Sequence, residues 1–201
     1  MHNPFPIIDE DDFIESVNSA IERGDYVDYL RRVLENYAWY KSEFARVFAD
    51  GDPDAIYRLR AVYNLKKGVW REIEMRGKQT FEELAMAIVS AMGWDYDHMH
   101  GFTIPGVVKE PAEGMRFEGA TRIEFFESHW EDDPFPTYKS NQIMIHQIDY
   151  KKYPTIDFIF DFGDGHEFKI KYQGIRDRNG EDKISTFPKI VDQRGTAPKQ
   201  Y

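Results

Sequence analysis

The sequence predicts an α+β fold, a strand–strand–helix–strand core behind an acidic helical extension. Three observations predict it. Residues 57–65 alternate apolar and polar side chains with period two. Residues 80–93 carry a helical apolar stripe framed by residues suited to cap it. Residues 12–48 carry helical periodicity in a strongly acidic stretch. Gly51-Asp52-Pro53-Asp54 breaks the composition, so residues 1–52 are expected as the extension and 53–201 as the core domain.

In the extension, Asp12 is placed to cap a helix with Phe13, Val17, Ala20 and Ile21 on one face. Gly24 ends it and Asp25 is placed to cap the next. That second helix is expected to reach about Phe48, with Leu30, Val33, Leu34, Tyr37, Phe44 and Phe48 on one stripe. Tyr29, Trp39, Tyr40 and Val47 lie off the stripe, so two faces are apolar. Such a helix packs between its neighbour and the main domain or faces a protein partner, and intramolecular packing is the expectation. Ala20, Gly24 and Leu30 have helix-turn-helix spacing, but the next helix opens Asp25-Tyr26-Val27-Asp28, a poor surface for DNA.

In the core, Tyr57, Leu59, Ala61, Tyr63 and Leu65 form one face of the first strand. Lys66-Lys67-Gly68 is a turn and Val69–Met75 the return strand. Thr80 opens a helix and Glu83, three places on, completes a capping box. Phe81, Leu84, Ala85, Ile88 and Met92 share its face, and Gly93 stands where a left-handed cap belongs. A short strand follows from His100 to Ile104, then a loop over 105–120 and a strand from Arg122 to Phe126. Glu131-Asp132-Asp133-Pro134 is a break, and Ile143–Ile148 fits either strand or helix. In the next strand Ile156, Phe158, Phe160 and Phe162 are expected to face inward and Asp157 and Asp161 outward. Asp164-Gly165 is read as a two-residue hairpin turn into a strand carrying Phe168, Ile170 and Tyr172.

Composition bounds the chemistry. There is no Cys, so disulfides, thiolate metal sites and thiol nucleophiles are excluded. No apolar run approaches a membrane span, and Met1-His2-Asn3-Pro4-Phe5-Pro6 has neither a basic patch nor an apolar core, so a cytoplasmic location is expected. Net charge is −10. Residues 1–55 hold 13 Asp or Glu against 5 Lys or Arg, whereas residues 166–201 hold 8 basic against 5 acidic. Duplex DNA binding by the chain alone is therefore not expected.

Two segments concentrate carboxylates and imidazoles: Trp94-Asp95-Tyr96-Asp97-His98-Met99-His100-Gly101-Phe102 and Asp161-Phe162-Gly163-Asp164-Gly165-His166. With Val69-Trp70-Arg71, Phe81-Glu82-Glu83-Leu84, Met92-Gly93, Glu167 and Phe187-Pro188-Lys189, they make an ordered set of motifs. From about Tyr57 onward the chain resembles the plasmid pRiA4b open-reading-frame-three-like family. The resemblance implies one α+β domain with a curved, mixed and largely antiparallel sheet and one main helix. It also implies an association with plasmids and mobile elements. The family usually has an aromatic residue after its Gly-Asp pair, where Gly165 and His166 stand here. Its tail commonly carries Cys and a Pro-Pro-Glu-Asp run, against Gly195-Thr196-Ala197-Pro198-Lys199 here.

Trp70, Trp94, Asp97, His98, His100, Phe102, Asp161, Asp164 and His166 are expected to line one shared surface, because both segments fall at element ends. No catalytic residue is assigned. His98 and His100 are two apart, on one side of an extended segment, and Asp164 or His166 would complete a metal site there. The competing reading makes them hydrogen-bonding anchors of the connection, and no cofactor is then required. Asp161-Phe162-Gly163 lacks the surroundings of a kinase motif. In Asp177–Asp182, Gly is at the fourth place rather than the sixth, so a polar turn is expected rather than a calcium loop. Resolvase chemistry needs a nucleophile among clustered Arg, and the Arg residues here are scattered. The function expected is a non-enzymatic accessory or protein-interaction protein. The alternative is a metal-dependent enzyme built on His98, His100, Asp161 and Asp164. A protein partner docking on the aromatic N-terminal helix is the alternative to its intramolecular packing.

Overall fold

The computed structural model describes residues 10–45, 47–104, 123–126 and 138–201. The expected loop at 105–120, Arg122 and the break at 131–134 lie outside the described residues, as do the side chains of Trp39, Tyr40 and Phe44. Helices α1 (Glu10–Glu22) and α2 (Val27–Ala45) precede strands β1 (Ile56–Tyr63) and β2 (Trp70–Arg76), then helix α3 (Phe81–Met92). Strands β3 (His100–Ile104), β4 (Ile123–Phe126), β5 (Tyr138–Lys139), β6 (Thr155–Phe160), β7 (His166–Arg176) and β8 (Lys189–Arg194) follow. The eight strands form one sheet in the order β5-β4-β3-β6-β7-β1-β2-β8. Every neighbouring pair is antiparallel except β4–β5. The α+β class, the mixed sheet and the single helix packed on it agree with the sequence expectation.

Helix α3 forms because its ends are satisfied and one face is apolar. Thr80 Oγ1 accepts from Glu83 N at 3.3 Å and Glu83 Oε2 accepts from Thr80 N at 2.8 Å. Phe81 N and Glu82 N donate to the carbonyls of Ile143 and Ser140, so further first-turn donors find acceptors outside the helix. Gly93 ends it at φ 76°, a left-handed conformation that a Cβ would strain. Phe81, Leu84, Ala85, Ile88, Val89 and Met92 are buried against the sheet. The ring of Phe81 meets Phe102 of β3 edge-on at 5.1 Å.

The ambiguous stretch 143–148 is a single 3-10 turn, Ile145–Gln147. Its neighbours make isolated bridges to Thr80 and Phe48, which hold it against two elements at once. The same pairing explains why α2 stops at Ala45 rather than Phe48. Ala49 N donates to Gln147 O and Asp149 N to Val47 O, which ties residues 47–49 to the segment at 147–149. Asp25, expected as the cap of α2, instead accepts from Arg23 Nε at 3.1 Å, and the helix starts at Val27 behind Tyr26 at φ 46°. The extension packs on the domain. Tyr37 and Val47 belong to the same buried cluster as the sheet, and Phe13 meets the Tyr37 ring edge-on at 5.0 Å.

Leu65, expected in β1, lies exposed beyond its end. Strand β8 carries no clear sequence signal, since Ile190 and Val191 are flanked by charge. It lies at the edge of the sheet, where such charged strands resist pairing with other chains.

Phe81→Ala is expected to lower unfolding stability by roughly 3–5 kcal/mol, and Thr80→Ala by about 1 kcal/mol. Urea unfolding with an unchanged m-value checks both, and near-zero loss for Phe81→Ala would contradict the packing.

Candidate functional site

The two motif segments meet at one end of the sheet. His100 pairs with Phe160 across β3 and β6, which places Met99 opposite Asp161. Asp161 N donates to Met99 O at 3.0 Å. There the β6 alternation breaks. Asp161 sits at φ 57°, a conformation that Asp tolerates better than most residues. Its Oδ1 accepts from Gly163 N at 2.9 Å and Asp164 N at 3.2 Å. Gly165 N closes the loop onto Asp161 O at 2.7 Å. The connection is thus a five-residue loop over 161–165, not a two-residue turn at Asp164-Gly165. The positive φ also reverses the expected faces: Asp161 is buried and Phe162 is exposed.

The remaining predicted residues separate into three environments. His98 is on the surface, with Nδ1 2.9 Å from Asp97 Oδ1 and Nε2 3.7 Å from Asp161 Oδ2. Tyr201 completes this corner, with its hydroxyl 3.0 Å from Asp97 Oδ1 and 2.9 Å from His98 Nδ1. The hydrogen bond to Asp97 raises the His98 pKa above its ordinary 6.5 against the opposing effect of desolvation, helped by the charges of Asp161, Asp97 and Asp164. Asp97 is lowered in return, first by its hydrogen bond to His98.

His166 and Trp94 form the second environment. Their rings lie 4.2 Å apart, and both are buried. The His166 ring bridges the Tyr63 hydroxyl at Nδ1 and the Gln200 carbonyl at Nε2, each at 3.1 Å. The carbonyl can only accept, so Nε2 carries the proton.

His100 is the third. It is fully buried, with Nδ1 2.7 Å from the Tyr96 hydroxyl and Nε2 2.8 Å from Ser140 Oγ. Burial pushes its pKa down to about 4. A Ser–His contact at this distance has the geometry of a nucleophile with its base. Ser140 is also fully buried, and an imidazole held at about 4 is a weak base near neutrality. The contact therefore works as a polar bridge from β3 to the segment after β5. Phe102 is equally interior, 4.7 Å from the ring of Phe158. Trp70 lies on the opposite face of the sheet, under the Arg60 guanidinium at 4.4 Å. Asp164 is exposed on the loop. His98, His100, Asp164 and His166 thus do not converge, and among the described residues no group of three or more His, Asp or Glu is placed to hold a metal.

A family model described as plasmid pRiA4b ORF-3-like protein matches residues 56–200. The chain belongs to the plasmid pRiA4b ORF-3-like family. The match spans the sheet and the motif corner and leaves both extension helices outside it. Among solved structures, the chain is similar to a protein of unknown function from Methanosarcina mazei Go1, at 20% identity and TM-score 0.57 over 73% of each chain. That likeness shows a shared fold. No curated protein matched. Among the described residues of this family member, no helix is long and apolar enough to cross a membrane.

Sequence reasoning missed Tyr63, Gln200, Tyr201, Arg71 and Ser140 as parts of this region. Tyr63 carried a signal as an inward residue at the end of a strand and Arg71 as part of the Val69-Trp70-Arg71 motif; Gln200, Tyr201 and Ser140 join through contacts between distant parts of the chain.

The pH dependence has two opposite parts. The folded pKa of His98 is raised, so its stabilisation is present below 6.5 and lost as pH rises through the folded value. The folded pKa of His100 is depressed, so below 6.5 the unfolded chain takes up the proton first. Stability from His100 is then lost between about 6.5 and 4, by roughly 3 kcal/mol in all. An NMR titration of the imidazole signals is expected to place His98 above 6.5 and His100 near 4. His100 titrating normally would contradict its burial.

Proposed function

We propose that this protein is a non-enzymatic accessory protein that binds another protein at the corner where residues 97–99 and 161–164 meet. One observation carries this reading. The imidazoles and carboxylates at the corner hold its loops, while Met99 and Phe162 stand 40% and 38% exposed beside them. Exposed apolar side chains with a polar rim are what a partner surface presents. Asp97 and Asp164 supply that rim. The start of α2 supports a second contact of the same kind, since Tyr26 and Tyr29 are 84% and 47% exposed. A setting on plasmids and mobile elements is part of the proposal, and the family's description, which names a plasmid, supports the first of these.

Duplex DNA is not the proposed partner. Of the basic residues late in the chain, Lys169 is ion-paired with Asp157. Arg176 bonds Glu74 at 2.7 Å and Asp182 at 2.6 Å. The hydrogen bond from Arg176 holds Asp182 at about 2, so that pair stays charged and matched. Cations already paired release fewer counterions on DNA.

A photo-crosslinking residue at position 162, introduced in the source cells, is expected to give one discrete protein adduct. The same residue at position 67, on the exposed β1–β2 turn, is expected to give none. Equal labelling from both positions, or none from 162, would overturn the reading. Mixed duplex DNA at physiological salt is expected to bind more weakly than about 1 μM. Tighter binding that disappears in Lys169→Glu/Lys171→Glu would make DNA the partner instead.

A further inference from the structure

Residues 194–201 lie across the motif region as an extended strap, and the core holds that strap mainly by its backbone. Arg71 Nη1 donates to the carbonyls of Arg194 at 3.1 Å and Gly195 at 3.3 Å. Lys66 Nζ donates to Thr196 O at 3.1 Å and Trp94 Nε1 to Pro198 O at 3.0 Å. His166 Nε2 donates to Gln200 O at 3.1 Å. Five carbonyls within seven residues are therefore met by side-chain donors from β2, its preceding turn, the end of α3 and β7.

One strap side chain is read through the core backbone. Gln200 Oε1 accepts from Asp95 N at 2.7 Å, and Gln200 Nε2 donates to Asp95 O at 2.9 Å. Tyr201 then reaches the carboxylate of Asp97. This is how grooves bind extended peptides: main-chain hydrogen bonds hold the segment, and a few side chains select it. A strap that was only a surface loop would satisfy its carbonyls with water, and no buried indole, imidazole and guanidinium would be committed to them.

We propose that the groove walled by Arg71, Trp94 and His166 is a peptide-recognition groove, filled in cis by residues 195–201, and that the same segment of a second copy of the chain fills it in trans. The groove's fit to this sequence is already present in cis, and exchange of an identical element between copies needs no new complementarity. The pivot is Gly195, at φ 75°, where a Cβ would lie 2.6 Å from Gly68 O. Backbone approach at this point fixes where the strap leaves β8 and turns over the groove. The proposal goes beyond the partner surface at Met99 and Phe162, since it concerns residues 195–201 and the groove that seats them.

Full-length Gln200→Gly/Tyr201→Gly weakens the strap and leaves the groove intact. A labelled peptide with the sequence of residues 194–201 is expected to bind this variant at least about tenfold more tightly than the parent chain, whose groove is occupied. Adding Trp94→Phe and His166→Phe is expected to abolish that binding. Mixing the strap-weakened variant with a chain carrying only Trp94→Phe/His166→Phe pairs a groove with a released strap. Light scattering is expected to find a complex of two chains in the mixture and single chains in each component alone. Circular dichroism confirms that each variant is folded, and if the groove variant fails to fold, the peptide titration still decides. Absence of saturable peptide binding to the folded strap-weakened variant, equal binding by a scrambled peptide, or a monomeric mixture of folded components would each overturn the proposal. Crosslinking at position 162 reports on a different protein at the corner, so failure there and failure here are separate results.

Discussion

Helix α3 can bury its apolar face against the sheet only because its first turn is supplied with acceptors from elsewhere in the chain. Six buried apolar side chains contribute on the order of 10 kcal/mol by area. The capping box contributes about a tenth of that. The burial nonetheless requires the first turn to sit in the interior, where an unpaired N–H costs about 1–3 kcal/mol. Ser140 and Ile143 supply the missing carbonyls, and the 3-10 turn after them supplies an apolar lid through Ile145. That dependence extends outward. The same 140–149 segment pairs with Thr80 and with Phe48, so the helix, the sheet and the extension share one tether.

The motif corner follows a similar logic at a single residue. Asp161 takes a left-handed conformation that lets β6 stop and the chain turn toward β7. Its own carboxylate offsets the strain by accepting two backbone N–H groups of the loop. The turn puts Phe162 outside and leaves Asp161 beside His98. A polar motif that looks chemical in the sequence is thus largely a device for shaping the corner. The geometry that serves the loop also creates the apolar tip flanked by carboxylates.

Charges on the open face of the sheet are arranged in pairs. Arg58 and Arg176 both bond Glu74, and Arg60 bonds Glu72, although both glutamates are buried. Hydrogen bonds from Arg176 and Arg58 hold the Glu74 pKa below its ordinary value despite that burial. A buried carboxylate without a partner would be costly, so each guanidinium is needed where it stands. These cross-strand pairs let a charged face coexist with a continuous core on the other side.

The sequence by itself determined the local elements. The period of two over Tyr57–Tyr63, the capping box at Thr80 and Glu83, and Gly93 after Met92 all depend on neighbours within a few residues. The ordered motifs carried the family. Tertiary structure decided whatever depends on distant partners. It chose the 3-10 turn at 145–147, because those residues bond Gln79 and Gly77. It set His98, His100 and His166 in three environments, because pairing of β3 with β6 buries one ring and leaves another outside. It also brought residues 194–201 back across Trp94 and His166, more than 100 and 30 positions away. No period or spacing records such a return, since the strap is held mainly through its carbonyls, which every residue type carries, with side-chain contacts concentrated at Gln200 and Tyr201.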